Sequence, residues 1–217
     1  MIVDLNLHDK TVIIVGGGNE AQKRINSLLK QDCEILVISD SVNSQINKLV
    51  KTRKIKLKKQ KIQDTKFISK FKPDVIITTT NDKKINQKII NSAKRKKIIT
   101  YSSDNPEESD FSNPAIIDFE NMIQIAIFTG GRSPAMSKKI KTKSEKIFKK
   151  IITKGDIAQI KIQKIARKIA KETIPNQIQR RDYLHTIMTD NEIDQLIKDG
   201  HVKKAEKRAI TILRNWK

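Results

Sequence analysis

Thr11-Val-Ile-Ile-Val-Gly-Gly-Gly-Asn-Glu-Ala21 is the stretch on whose reading the fold depends. Five apolar or β-branched residues, Thr11 to Val15, stop at three glycines, after which Ala21, Ile25, Leu28 and Leu29 recur at helical spacing. The order predicts strand, tight turn, helix. Read as a dinucleotide fingerprint, Gly16 makes the turn, Gly18 lets the backbone approach a pyrophosphate, and Ala21 fills the small third position where helix meets strand. Gly17, Asn19 and Glu20 complete the loop and open the helix, whose first N–H groups and partial positive charge suit phosphate. The plainer alternative is a βα turn that only packs. A second apolar run, Glu34 to Ser39, ends at Asp40, about 20 residues beyond the glycines, where a carboxylate can accept hydrogen bonds from an adenosine ribose. An aspartate after a strand is also an ordinary turn residue.

Outward from this unit the same alternation continues. Met1 to Lys10 reads as a lead-in strand or loop (Ile2, Val3, Leu5, Leu7), and a polar helix around Ser44 to Lys51 follows the second strand. Lys51 to Lys61 is dense in lysine, but Lys and apolar residues alternate between 54 and 58, which fits a strand with one solvated face better than a nucleic-acid arm. Lys72-Pro-Asp-Val-Ile-Ile-Thr-Thr-Thr80 predicts a turn and a buried strand, Asn81-Asp82 caps a helix to about Lys96, and Ile98 to Ser102 forms the next strand. Repeated strand and helix predict a doubly wound parallel sheet, a Rossmann-type α/β domain. Ligands of such sheets lie beyond the carboxyl ends of the strands, so Gly16 to Gly18, Asp40, Thr78 to Asp82 (with Thr79, Thr80 and Asn81) and Ser102 to Asp104 are expected to face one crevice. Asp104 is expected partly buried beside it.

The pattern changes after Asp104. Turn residues lead to two strand-like runs, Ala115 to Asp118 and Met122 to Phe128, the second interrupted by Gln124 and so open to antiparallel pairing. Thr129-Gly-Gly-Arg-Ser-Pro-Ala135 is a glycine turn with Ser133 at an N-cap and Pro134 at the first helical position, opening a helix to about Lys150. From Gly155 onward the chain reads as helices, the first placing Ile157, Ile160, Ile162, Ile165, Ala166 and Ile169 along one side. The expected division is 1–112, a dinucleotide-binding domain; 113–150, a small α+β segment; and 151–217, a helical domain.

Composition bounds the partners. Of 217 residues, 37% are hydrophobic and 4% aromatic, so the core must be built from Ile, Val and Leu. No apolar run approaches the roughly 18 to 20 residues of a membrane span, and no basic n-region precedes a signal-like segment, which predicts a cytoplasmic protein with no membrane partner. One cysteine, Cys33, excludes an internal disulfide or a multi-cysteine metal site and is expected to pack near the second strand. His8, His185 and His201 have no ligand spacing, so no metal site is assigned. A net charge of +21 predicts attraction to a polyanion, whether nucleic acid, an acidic membrane or a polycarboxylate. Aromatic residues for stacking bases are scarce, which disfavours nucleic acid.

Several motifs fall in an order that resembles the precorrin-2 dehydrogenases and bifunctional dehydrogenase/ferrochelatases of sirohaem synthesis. The matching residues are Val15-Gly-Gly-Gly18 with Ala21, Thr79-Thr-Asn-Asp82 with Asn86, Asp104-Asn-Pro106, Asp110-Phe111 with Pro114-Ala-Ile-Ile-Asp118, and Thr129-Gly-Gly-Arg-Ser-Pro134. The likeness covers nearly the whole length, strongest from about residue 5 to residue 150, and the tail, with Ile165-Ala-Arg-Lys-Ile-Ala-Lys and Ile174-Pro, is similar to archaeal-type members. Where relatives often carry Asn-Val-Val-Asp, this chain has Tyr101-Ser-Ser-Asp104.

The resemblance implies a homodimer with an N-terminal Rossmann domain, a central dimerisation segment and a helical C-terminal domain. It implies NAD+-dependent oxidation of precorrin-2 to sirohydrochlorin, and in some members Fe2+ insertion to give sirohaem, with the metal held by the tetrapyrrole nitrogens. The position matching Asp104 serves as general base. Asn105, Pro114, Gly130, Gly131, Arg132, Ser133 and Lys138 fall at substrate-facing positions, and Arg132, Lys138 and Lys139 are suited to the carboxylates of a polycarboxylate tetrapyrrole. Ser133 reads structurally as an N-cap, and the matching serine is phosphorylated in some relatives. Asp40 favours NAD+ over NADP+, since its charge repels a 2′-phosphate. The rival reading is a non-catalytic nucleotide-sensing module of the kind that gates potassium transport systems, which shares the glycine fingerprint and the acid after the second strand. Those modules lack the Asp-Phe-x-x-Pro-Ala and Gly-Gly-x-Ser-Pro blocks.

Overall fold

The structure, a computed structural model, describes residues 2–216; the expected domain ends at positions 1 and 217 lie outside them. Contacts divide the chain into two units, Met1–Pro114 and Ala115–Lys217.

The first unit holds five strands, β1 (Thr11–Val15), β2 (Glu34–Ser39), β3 (Lys56–Lys59), β4 (Val75–Thr78) and β5 (Ile99–Ser102), hydrogen-bonded in the order β3-β2-β1-β4-β5 with all pairings parallel. Helices α1 (Asn19–Leu28), α2 (Ser44–Lys51), α3 (Lys66–Phe71) and α4 (Lys83–Arg95) make the crossovers. Two separate cores account for the unbroken apolar run of β1, because a strand covered on both faces has no solvent side. Val12 and Ile14 pack with Ala21 and Ile25 of α1 and Ile46 of α2, whereas Ile13 and Val15 pack with Phe67 and Ile68 of α3 and Ile89 and Ala93 of α4. This is the doubly wound sheet that the alternation predicts. The lysine-rich β3 is an edge strand, paired with β2 only, and its charges keep that edge from recruiting another strand.

Of the two forms expected for the lead-in, residues 2–10 take the loop, because both edges of β1 are taken by β2 and β4; Leu7 is buried while Ile2, Val3 and Leu5 stay exposed. Helix α3 has no counterpart in the sequence reading. It spans only six residues, too few for a periodic stripe, and buries Phe67 and Ile68 before Lys72 closes it in the left-handed region (φ 44°). Cys33 packs against the β1 core as expected and donates to the Leu28 carbonyl (3.6 Å).

The second unit begins with an antiparallel hairpin of β6 (Ala115–Phe119) and β7 (Ile123–Ile127), which settles the open pairing of the Met122 to Phe128 run. Glu120 and Asn121 turn it with positive φ (51° and 58°). Helix α5 (Pro134–Ile151) follows, then α6 (Lys154–Thr173), α7 (Gln177–Met188), α8 (Asn191–Lys198) and α9 (Val202–Arg214). On α6 the buried line is Ala158, Ile162, Ala166 and Ala170, at strict i, i+4 spacing, whereas Ile165 is exposed. Ile157 is buried beside this line, so Ile157, Ile162 and Ala166 of the expected face are borne out, and Ala158 and Ala170 join them where close helix packing uses small residues. The helical core closes on fully buried Tyr183, whose hydroxyl donates to the Ala209 carbonyl (3.0 Å) and whose ionisation burial pushes up to about 12.

Candidate functional site

The strand register puts the candidate groups of the first unit in one row. Val15 pairs with Ile38 on one side and Thr78 on the other, and Thr78 pairs with Ser102. The glycine loop follows Val15, Asp40 lies two residues past Ile38, and Asp104 two past Ser102. With neighbouring strands about 4.8 Å apart, Asp104 lies on the order of 10 Å along the row from the glycine loop, with Asp40 on the opposite side. Strands are added to one side of β1 up to β3 and to the other side from β4 on, so the strand order switches between β1 and β4, where ligands of open α/β sheets bind.

Each glycine of the loop has a different neighbour. Gly16 (φ +116°) is seated on the loop after β4, where a Cβ would fall 2.4 Å from Thr79 Oγ1 and 3.1 Å from Thr79 backbone atoms. At Gly17 a Cβ would lie 2.0 Å from the Ser41 carbonyl oxygen and 2.8 Å from Val42 Cγ1, so this residue lets the loop after β2 close in. A Cβ at Gly18 would meet nothing within 4 Å. Helices α2, α4, α5, α6, α7 and α8 begin under side-chain caps from Asn43, Asp82, Ser133, Thr153, Asn176 and Asp190, whereas α1 starts at Gly18 with no side-chain cap. As at α3 and α9, no side chain caps this start, and the free space beside Gly18 leaves its first-turn N–H groups open to an anion.

Other side chains brace this loop. Thr79 donates both its N–H (2.8 Å) and its hydroxyl (3.0 Å) to the Val15 carbonyl, so its side chain is engaged beneath Gly16. Asn43, which the sequence reading passed over, donates its N–H to the Gly17 carbonyl (2.9 Å) and its amide to Gln22 (2.7 Å) and Asn19 (3.3 Å), tying the loop after β2 to the start of α1. Glu20 pairs with Lys23 (3.0 Å) and Arg24. Burial pushes its carboxyl up, but the hydrogen bond from Lys23 and the charge of Arg24 outweigh this and hold it below the usual range. Ala21 is fully buried, as its small-residue position requires, and Asp40 is exposed.

Asp104 is exposed rather than partly buried, because the loop after β5 carries it clear of the sheet. Its Oδ1 accepts from Asn86 Nδ2 (2.9 Å) and from Ser102 Oγ (2.7 Å). That loop is pinned at its far end. Asp110 accepts from the Thr100 N–H (2.7 Å) and hydroxyl (2.8 Å) and returns its own N–H to the Thr100 carbonyl (2.9 Å), while Phe111 stacks on Tyr101 with ring centroids 5.3 Å apart. The Asp110-Phe111 motif thus anchors the segment that presents Asp104, Asn105 and Pro106.

In the second unit, Gly130 (φ 65°) and Gly131 (φ 76°) turn the chain into α5. Ser133 caps the helix, accepting from the Met136 N–H (3.2 Å), and Thr129 accepts from the Ser133 N–H (3.2 Å). Arg132, Lys138 and Lys139 are exposed. Among the described residues no three or more His, Cys, Asp or Glu side chains group as a metal site, and no helix is long and apolar enough to cross a membrane.

Residues 3–115, more than half of the chain, match the model of the NAD(P)-binding family NAD_binding_7. The chain belongs to this NAD(P)-binding family. A siroheme synthase of Actinobacillus pleuropneumoniae serotype 7 (strain AP76) is 25% identical over 211 residues, which make up 97% of this chain and 42% of the relative. The siroheme synthase of Methylococcus capsulatus (strain ATCC 33009 / NCIMB 11132 / Bath) is 28% identical over 203 residues, 94% of this chain and 41% of its own. The chain thus spans about two fifths of the length of the curated relatives it matches. Among solved structures, SirC, a precorrin-2 dehydrogenase, superposes with a TM-score of 0.69 at 20% identity, covering 95% of this chain and 99% of the other, so the two share a fold. These proteins are the group that the sequence motifs resemble.

A nicotinamide dinucleotide fits the residues present. The uncapped α1 start and the space beyond Gly18 suit a pyrophosphate, and Asp40 is exposed at the end of the neighbouring strand β2. Asn43 braces this NAD(P)-binding unit without a signature of its own, since asparagine before a helix signals only a cap; Asn86 and Asp110 stood in the sequence motifs, but their partners are set by strand register.

Proposed function

We propose that this chain oxidises precorrin-2 to sirohydrochlorin with NAD+ as acceptor. The observation that carries the reading is the uncapped, unobstructed start of α1 in the same strand-end row as Asp104, in a chain whose relatives include siroheme synthases. When bound, the nicotinamide supplies the hydride acceptor. The loop Gly16 to Gly18, with the N–H groups of Asn19, Glu20 and Ala21, holds the pyrophosphate, and Asp40 takes the ribose and disfavours a 2′-phosphate. Thr79 holds Gly16 in place, and Thr80 and Asn81 line the β4 side of the crevice.

Loss of hydride from a tetrapyrrole carbon is accompanied by loss of a proton, which Asp104 accepts on Oδ2. That oxygen has no hydrogen-bond partner among the described residues, while Oδ1 already accepts two hydrogen bonds. On the second unit Arg132, Lys138 and Lys139 are the cations suited to substrate carboxylates, with Gly130, Gly131 and Ser133 shaping that turn; on the first, Asn105 and Pro114 are the candidate substrate contacts. Fe2+, where inserted, enters as substrate on the tetrapyrrole nitrogens. A second copy of the chain is supported by α5, on which Met136, Ile140, Ile147 and Ile151 are 45%, 39%, 59% and 62% exposed along one apolar seam.

Incubating the purified chain with precorrin-2 and NAD+ tests this. The expected result is reduced-nicotinamide absorbance rising in step with the sirohydrochlorin spectrum, followed by the sirohaem spectrum if added Fe2+ is inserted. Absence of both signals with authentic substrate contradicts the reading.

A further inference from the structure

Asn86 is 1% exposed, yet it is a polar residue in the first turns of α4, facing the base of the loop that carries Asp104. Every part of its amide is engaged. Its Oδ1 accepts from Thr80 Oγ1 (2.6 Å), and its two amide hydrogens go to the Thr80 carbonyl (2.9 Å) and to Asp104 Oδ1 (2.9 Å). The amide can stand only one way round, because exchanging its oxygen and nitrogen would set the oxygen against two acceptors, one of them charged. A second arm reaches the same carboxylate oxygen. Ser102, 3% exposed, gives its single hydroxyl hydrogen to Asp104 Oδ1 (2.7 Å), so the contact between Ser102 and fully buried Thr78 (3.0 Å) must run from the Thr78 hydroxyl to Ser102. Two chains of donors, half-buried Thr80 with buried Asn86 and buried Thr78 with buried Ser102, therefore end on one oxygen of an otherwise exposed carboxylate.

We propose that Asn86 and Ser102 are positioning residues that clamp Asp104 by Oδ1 and so hold Oδ2 toward the crevice as the proton-accepting oxygen. The inference rests on the reading of Asp104 as the general base. A carboxylate on an exposed loop rotates freely about its side-chain torsions; two hydrogen bonds from buried donors fix those torsions before substrate arrives. The arrangement also explains why this position of α4 is an amide. Aspartate would set a second negative charge against Asp104, and leucine would leave the Thr80 hydroxyl and Asp104 without their partner.

The test measures kcat and KM for precorrin-2 and NAD+ in the full chain for Asn86→Ala, Ser102→Ala and Asp104→Ala, and for each of the first two combined with the third. Melting curves establish that each variant folds, and Ser102→Ala carries the test if Asn86→Ala does not. Each clamp substitution is expected to lower kcat about tenfold, since small displacements of a catalytic group are costly, while leaving both KM values within about twofold. In the Asp104→Ala background the same substitutions should change kcat by less than about twofold, because a clamp has nothing left to hold. The proposal is overturned if the tenfold loss persists undiminished in that background, or if KM for NAD+ rises while kcat stays. An Asp104→Ala variant as fast as wild type removes the base reading itself, an outcome separate from loss of the clamp alone.

Discussion

Two glycine turns in this chain open helices, and they are built in opposite ways. At Gly16 to Gly18 the glycines allow close approach, Gly16 against Thr79 and Gly17 against Ser41, and the helix that follows has no side-chain cap and faces open space at Gly18. At Gly130 and Gly131 the glycines supply positive φ, and Ser133 caps the helix through the Met136 N–H. The first turn leaves its backbone donors for a ligand; the second satisfies a donor internally. An anion at the first turn can be held by N–H groups, whereas one near the second must be met by the side chains of Arg132, Lys138 and Lys139.

Substitutions at the two turns should separate ligand effects from folding effects. Gly17→Ala is expected to be the most severe, since its Cβ would lie 2.0 Å from the Ser41 carbonyl oxygen. Thermal and urea unfolding should show a loss of about 3 kcal/mol in the first unit, and the Kd for NAD+ should rise more than about 100-fold. At Gly18→Val the side chain enters free space, so the melting temperature should hold while calorimetric titration shows the Kd for NAD+ raised about 30-fold, roughly 2 kcal/mol. A variant that binds as tightly as wild type would show that no phosphate sits there.

Ser133→Ala should do the reverse, costing about 1 kcal/mol of stability in urea unfolding through loss of the cap and leaving NAD+ affinity unchanged. The smallest effect belongs to Glu20, the acid in the first turn of α1. Its ionised form is favoured in the fold, so its contribution is present above the ordinary value of 4.5 and is lost as pH falls through the lowered folded value. Because the side chain is partly exposed, Glu20→Gln should cost only a few tenths of a kcal/mol at neutral pH and nothing in acid, read from urea unfolding as a function of pH.

The frame of the fold was open to sequence reading because its signals are local. The unbroken run of β1, the glycine turn and the caps at Asp82 and Ser133 each declare themselves within a few residues, and all were placed where the structure has them. The row of strand ends followed from the alternation of strand and helix. What escaped depends on distance. The clamp on Asp104 joins residues 86 and 102 through the parallel register of β4 and β5, and the Asn43 brace joins the loop after β2 to α1. Helix α3 was too short to show a period, and the buried line of α6 uses Ala158 and Ala170 as well as the expected Ile157, Ile162 and Ala166. In the polar cases the residue type was visible and its partner was not.

The amide resonances of the chain under NAD+ titration test the comparison most directly. The largest shifts are expected on Gly18, Asn19 and Glu20, at the uncapped start of α1, with those of Ser133 to Met136 at the capped start of α5 unmoved. Shifts concentrated at Ser133 to Met136, with Gly18 to Glu20 unchanged at saturating NAD+, would contradict it.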